Sequence, residues 1–362
     1  MGLLERSDEG TIWERTHKLP AGPTVGLIQV ARRAGVSPTT VSRFFNQPGL
    51  VNAETRARIE RAVEALDYVP NGAARALVSK RSRMIGVVVP TLDHALFAKA
   101  LNSLEQRLMQ EGYTLVVAAS GFDAAQERRQ VESLLSQRVD GLVLVGVARD
   151  PAIYALLQAK KLPYVTTWVV DPEARHPGVG IDNRAAGHRI ASHLCDLGHC
   201  DFGMILAETA QNDRAAERLA GVRAALEERG LSLAAERVIE RPLDLLEGGY
   251  AFRHLMSLSP APSAVICSAD VFAVGAALES RRLGLRIPDD VSLTGFDDIE
   301  LASLIDPPLT TLSVPVREIG ARSADYLLKR LRGEAVPDST LLDVKLVLRE
   351  STAAPRAKET KS

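Results

Sequence analysis

Disulfide potential is almost absent from this 362-residue chain, which has only Cys195, Cys200 and Cys267 at uneven spacings. Three such residues cannot build the cross-linked framework of a small secreted domain, so free thiols are expected. Long apolar runs are missing as well. A stretch such as GLVLVGVA at 141 to 148 falls far short of the roughly 20 residues that cross a bilayer, so no transmembrane segment and no membrane partner is expected. The first residues, MGLLERSDEGTIWERTHKLP, interrupt every apolar stretch with charge and lack the apolar region of a secretory signal, which predicts a cytoplasmic protein. No P-loop, GxSxG, HExxH or GxGxxG pattern occurs, so neither catalysis nor a cofactor is expected.

Apolar residues make up 46% and charged residues 25%, the balance of a globular chain that buries a core. At roughly 150 residues per domain the length suggests two or three folding units. Net charge is -1, yet residues 24 to 83 carry ten Lys/Arg against four Asp/Glu, while 84 to 362 carry 31 against 37. A basic head therefore precedes an acidic body. Such a head suits phosphate contact, where each neutralised phosphate releases counterions, although a solvated charged face has the same composition.

Residues 1 to 23 end in the breaker-rich LPAGPT and read as a flexible extension. In VGLIQVARRAG, Ile28, Val30, Ala31 and Ala34 share one helical face and Gly35 closes it. Ser37 is a good N-cap and Pro38 suits the first helical position, while Val41, Phe44 and Phe45 supply the apolar side of a second helix that Asn46, Pro48 and Gly49 end. Ile59, Ala62, Val63 and Leu66 mark a third helix before Pro70. A helix, a glycine turn and a short capped helix form a helix-turn-helix, whose second helix presents its first residues to the major groove. Pro38, Thr39 and Thr40 occupy those turns, with Arg43 on the same side. Thr39 and Arg43 are the expected base readers, because Arg bonds guanine O6 and N7 bidentately and Thr offers a hydroxyl and a methyl. Helical hairpins with glycine turns also occur in proteins that never meet DNA.

From Met84 the texture changes. Strands at 84–90, 114–119, 141–146, 163–168, 202–207, 263–268 and 290–296 alternate with helices starting near His94, Asp123 and Pro151 and lying around 214–229, 248–258 and 271–284. This alternation predicts parallel sheets covered on both faces, with strands enough for two. Ligands in such folds bind beyond the carboxyl ends of strands, which makes Phe97 with Leu96, Trp168, Asp182, Asn183, Arg214, Arg218 and Asp297 the candidates. A carboxylate and arginines around an aromatic wall suit a small polyhydroxylated ligand, and the paired arginines point toward a sugar acid. The bland reading makes Arg218 and Asp297 a salt bridge and Trp168 core.

The segments VARRAGVSPTTVSRFFNQPGLVNAETRARIERAVEALDYVPNGAARAL, IGVVVP, QRVDGLVLVG, HLCDLGH, ERLAG, VGAALESRRLGLRIPDDVSLTGFDD and PPLTTLSVPVREIGARSADYLL resemble, in order, the lactose repressor/galactose repressor (LacI/GalR) family. The resemblance runs from about residue 24 to 350. It implies an α/β protein with an all-α helix-turn-helix head at 24–70, a hinge helix and linker at 71–83, and a two-lobed, periplasmic-binding-protein-like body with two parallel sheets at 84–350. Lobe 1 is expected at about 84–182 and 312–334, lobe 2 at about 183–311 and 335–350, and 351–362 as a disordered tail without oligomerising heptads. It further implies that 71 to 79 order on DNA and push Leu77 into the minor groove, where an apolar wedge kinks the duplex. The residues assigned to DNA are then Ser37, Pro38, Thr39, Thr40, Arg43 and Asn46, with Asn71, Ala74 and Leu77 from the hinge. The family uses the positions of Phe97, Arg218 and Asp297 for its effector. Its relatives often place an aromatic residue where this chain has Asp244, so ring stacking is not expected there.

The partners implied are a near-palindromic operator, a small effector of sugar, sugar-acid or nucleoside type, and a second copy in a homodimer. The alternative is a solute-binding protein of the periplasmic sugar-binding type without DNA activity, against which the basic head and the absent signal argue. His188, His193, Cys195, His199 and Cys200 cluster in sequence, but His188 and His193 lie about 140 degrees apart on a helix and Gly198 intervenes, so a metal site is not expected.

Overall fold

The structure is a computed structural model that describes residues 25–69, 81–171 and 173–356. The expected extension at 1–23, the hinge helix at 71–79 and residues 357–362 lie outside the described residues. Internal contacts divide the chain into one unit up to Ser82 and another from Arg83.

In the first unit three helices, α1 (Leu27–Ala34), α2 (Pro38–Asn46) and α3 (Ala53–Glu64), enclose one small core. Gly35 ends α1 at φ +63, where its N–H reaches back to the carbonyls of Ala31 and Arg32. Ser37 caps α2 as its sequence predicts, the hydroxyl accepting from the Thr40 N–H at 3.1 Å. Asn52 caps α3 through the Thr55 N–H at 2.8 Å. Val30, Ala31, Ala34, Val41, Ile59 and Ala62 meet in the middle, with Phe44, Phe45 and Leu66 packed around them. Arg58 joins α3 to the turn by donating from Nε (3.0 Å) and Nη2 (2.6 Å) to the Ala34 carbonyl and from Nη2 to that of Gly35 (2.8 Å).

The second unit has two lobes. In lobe 1, β1 (Met84–Val89), β2 (Thr114–Ala119), β3 (Gly141–Val145), β4 (Tyr164–Val169), β5 (Gly178–Ile181) and β11 (Ser339–Leu341) form a parallel sheet in the order β11-β5-β4-β3-β1-β2. In lobe 2, β6 (Phe202–Ala207), β7 (Val238–Arg241), β8 (Ala264–Cys267) and β9 (Ser292–Thr294) form a parallel sheet in the order β7-β6-β8-β9. Every residue of β3 and β8 is buried, because helices cover both faces and the strands read as continuous apolar runs. The helices are α4 (Ala95–Gln110), α5 (Ala124–Ser136) and α6 (Pro151–Ala159) in lobe 1, then α7 (Asn183–Asp196), α8 (Asp213–Glu227), α9 (Leu245–Met256) and α10 (Asp270–Arg282) in lobe 2. Helix α11 (Val316–Arg332) packs on α4 and on β3, β4 and β5. The chain crosses between lobes after β5, after β10 (Thr311–Ser313) and before β12 (Lys345–Val347), and these last two strands pair antiparallel.

Two expectations need correction. Residues 335–350 do not all belong to lobe 2, because β11 pairs with β5 and the chain crosses only after Leu341. Residues 351 to 356 are not a disordered tail. Ser351 is fully buried and accepts from the Thr310 N–H at 2.8 Å, and Ala353 donates to Ser292 at 3.0 Å and accepts from the buried His199 ring at 2.9 Å.

Candidate functional site

On the head, α2 turns Val41 inward and leaves Ser37, Pro38, Thr39, Arg43 and Asn46 exposed. Thr39 and Arg43, four positions apart, share the solvent side. Thr40 is half-buried and its hydroxyl bonds the Ser37 Oγ at 2.8 Å, so it serves the cap more than the surface. Asn46 folds back onto the Ser42 carbonyl at 2.9 Å. Arg32 and Arg33 add exposed positive charge at the end of α1. Asn71, Ala74 and Leu77 lie outside the described residues.

Between the lobes lies a cavity of about 250 Å3 lined by Leu96, Phe97, Trp168, Arg214, Arg218 and Asp297, six of the eight residues expected there. Phe97 and Trp168 form one wall, with ring centroids 5.1 Å apart at 57°. Arg218 lies on the opposite lobe, 3.5 Å above the centre of the Phe296 ring, and donates to the Asn183 Oδ1 at 2.9 Å and the Ser268 carbonyl at 2.6 Å. These partners, rather than a salt bridge to Asp297, hold it. Asn183 is a support and not a wall residue, since its Nδ2 also donates to the Trp168 carbonyl at 2.8 Å. Asp182 is not in the cavity. Its carboxylate caps α7 by accepting from the Ala185 N–H at 2.8 Å. Asp244 likewise caps α9, accepting from the Leu246 N–H at 2.7 Å, and Leu243 beside it supplies an apolar wall in place of a ring.

Burial pushes Asp297 up to about 8, against the pull of Arg218 and with the help of the nearby Asp270 carboxyl. Burial likewise lowers Arg218 to about 10 and raises Asp270 to about 7, although Asp270 accepts hydrogen bonds from the Thr311 hydroxyl and the Ile299 N–H. A carboxyl raised in this way is shifted toward its protonated form, which offers both a donor and an acceptor. Two buried polar atoms of this wall, Asp297 Oδ1 and Trp168 Nε1, have no hydrogen-bond partner in the protein. Leaving such an atom unsatisfied costs about 1–3 kcal/mol. The same two residues have positive φ, +65° at Trp168 and +114° at Asp297, so strain collects where binding groups converge. Sequence reasoning missed Asn212, Ser268 and Phe122 on the wall; a serine or an asparagine at a strand end carries no distinguishing pattern.

The histidine-rich segment is accounted for by protein contacts. His188 bonds Glu228 at 2.8 Å, and His199 sits between Ser263 (2.9 Å) and Ser292 (3.0 Å). Among the described residues no three His, Cys, Asp or Glu side chains converge on a metal-sized point, and no helix is long and apolar enough to cross a membrane.

Residues 27–71 match the family model of bacterial regulatory proteins, lacI family, and residues 191–352 match the periplasmic binding protein-like domain. The chain is 32% identical over 327 residues to the HTH-type transcriptional repressor CytR of Escherichia coli (strain K12), covering 90% of this chain and 95% of that one. It is 34% identical over 325 residues to the ribose operon repressor of Haemophilus influenzae, covering 89% and 97%. The structure of the lac repressor dimer bound to operator and the anti-inducer ONPF superposes with a TM-score of 0.80 at 31% identity, covering 91% of this chain and 99% of that one. An exposed helix-turn-helix face and a two-lobed cleft, matched nearly end to end by repressors that carry both, lead to one assignment: the chain belongs to the lacI family of bacterial regulatory proteins.

Proposed function

We propose that the protein is a cytoplasmic, homodimeric transcription repressor, not an enzyme, whose hold on a near-palindromic operator is set by a small molecule in the cleft. Thr39 and Arg43 read base edges, Ser37, Pro38 and Asn46 meet the backbone, and the hinge residues Asn71, Ala74 and Leu77 complete the contact in the minor groove. Twofold symmetry in the protein is mirrored in the site. The cavity takes one ring of a sugar, sugar acid or nucleoside, stacked between Phe97 and Trp168 on one side and Arg214 and Arg218 on the other. Effector and operator then alter each other's affinity by the same factor.

One observation carries this reading: Phe97 and Trp168 from one lobe and Arg214, Arg218 and Asp297 from the other line a single cavity, in a chain whose other unit exposes Thr39 and Arg43 on a capped helix. The solute-binding alternative leaves that exposed helix without a task. Selection of duplexes from a random pool by the full-length protein tests the reading. A palindromic consensus is expected, and Arg43→Ala should lose about 1–3 kcal/mol of discrimination at one symmetric pair of positions. Uniform weakening on all duplexes would make Arg43 a phosphate contact, and no preference at all would end the proposal.

A further inference from the structure

The cavity explains Arg214 and Arg218 but not the buried charges behind them. Asp213, the first residue of α8, does not line the cavity, yet its carboxylate reaches across to lobe 1. Oδ2 accepts from the backbone N–H groups of Val147 and of Ala148 (3.0 Å), just beyond the end of β3. Oδ1 accepts from the Arg214 N–H at 2.8 Å and from its Nη1 at 2.9 Å. One carboxylate thus spends one oxygen on the opposite lobe and the other on a cavity arginine.

Lobe 1 is built to receive it. The fully buried Arg149 side chain donates to the carbonyls of Val145 (3.1 Å) and Gly146 (2.6 Å), to Glu127 (2.6 Å) and to the Tyr154 hydroxyl (3.0 Å). Tyr154 in turn donates to the Val147 carbonyl at 2.9 Å. These bonds fix the 145–149 loop from within its own lobe, with the 147 and 148 amides turned outward. Gly146 has φ +78, and a Cβ there would lie 2.1 Å from Arg214 Nη1 and 2.7 Å from Asp213 Oδ1. Arg214 can lie across the strand end because that position has no side chain. Glu127 and Asp213 alternate with Arg149 and Arg214, so the crossing carries no net charge.

We propose that Asp213 is a positioning residue that latches lobe 2 onto the 147–148 amides and makes lobe closure and the placement of Arg214 a single event. The inference goes beyond the effector reading and is tested without any ligand, so either can fail alone. Hydrogen–deuterium exchange of the full-length protein reads the latch directly. In Asp213→Ala the amides of Val147 and Ala148 should exchange faster by about tenfold or more, since a hydrogen bond to a charged acceptor is lost. The amides of Val143 and Leu206, inside the two sheets, should keep wild-type rates, which a general loss of structure would not allow. Asp213→Asn keeps an acceptor oxygen and should restore most of the protection. Gly146→Ala displaces Arg214 from the opposite side and should expose the same two amides, so the proposal stays testable if Asp213→Ala fails to fold. Unchanged exchange at 147 and 148 in a folded Asp213→Ala or Gly146→Ala protein would overturn it.

Discussion

The head and the cleft present polar groups to their ligands by opposite means. In the head, Thr39 and Arg43 stand in solvent on one short helix whose cap, Ser37, and core residue, Val41, lie within six positions of them. In the cleft, Trp168 and Arg218 are buried and Asp297 is half-buried; they come from three separated elements, and depend on Asn183, Ser268 and Phe296 for their placement. A reader that scans many sequences needs accessible side chains on a rigid rod. A sensor that discriminates one small molecule needs dry, preorganised groups whose desolvation is already accounted for in the fold. Mutations should therefore act locally in the head and cooperatively in the cleft.

Gly187→Ala should break the cleft hardest. Helices α7 and α8 meet so closely that a Cβ at Gly187 would lie 2.2 Å from the Arg218 carbonyl oxygen and 3.0 Å from its Cα. Backbone must move, and the backbone that moves carries the cavity arginine. Overpacking of this kind costs about 1–3 kcal/mol or more, which for a body of this size lowers the Tm by about 6 °C. Calorimetry should show that loss in the body transition, with DNA binding by the head retained. An unchanged Tm would mean that α8 yields easily and that Arg218 is not rigidly placed.

A smaller effect separates the cleft by pH. Burial raises Asp297 to about 8, so between its unfolded value near 3.8 and about 8 the folded state binds more protons than the unfolded one, and stability falls as pH rises through that window. Arg218 opposes the shift and Asp270 reinforces it. His176, His193 and His199, lowered by burial, push the other way below about 6.5, so the informative quantity is a difference. Relative to Asp297→Asn, the wild-type Tm should decline steadily from pH 4 to pH 8 and level off above it. Parallel curves would show Asp297 ionised by Arg218 throughout.

The same contrast governs what could be read from the sequence. Ser37, Pro38, Val41 and Gly35 announce the head because caps, glycine stops and helical periodicity are written within a few residues. Strands β1 to β4, β6, β8 and β9 were legible as apolar runs, whereas β5 and β7, four residues each, were not, and strand-end logic brought Phe97, Trp168, Arg214, Arg218 and Asp297 to one cavity. It erred at Asp182, where the end of β5 is also the start of α7 and a helix cap has the same residue type as a ligand group. It erred again past residue 335, because β11 is three residues long and its pairing with β5, some 160 positions earlier, leaves no local trace. The Asp213 bridge was invisible for the same reason: an acid before an arginine in α8 reads as solvated charge until β3 is placed beside it.

The smallest effect returns to the head and sharpens the comparison most. Ser37 accepts the Thr40 N–H at 3.1 Å and bonds the Thr40 hydroxyl at 2.8 Å, so Ser37→Ala leaves one backbone donor and one hydroxyl without their partner at the start of α2. Loss of such a cap costs about 1 kcal/mol. Both freed groups are within reach of water, which limits the cost, whereas the buried partners of Arg218 have no such substitute. The head should thus unfold at slightly lower denaturant, read by circular dichroism, while its preferred duplex stays the same, because Thr39 and Arg43 keep their helix. Ser37→Asp, which preserves the cap but adds negative charge beside the phosphates, should restore stability and weaken binding to every duplex alike. A changed consensus in either variant would place Ser37 among the base readers, and the head would then share the interdependence found in the cleft.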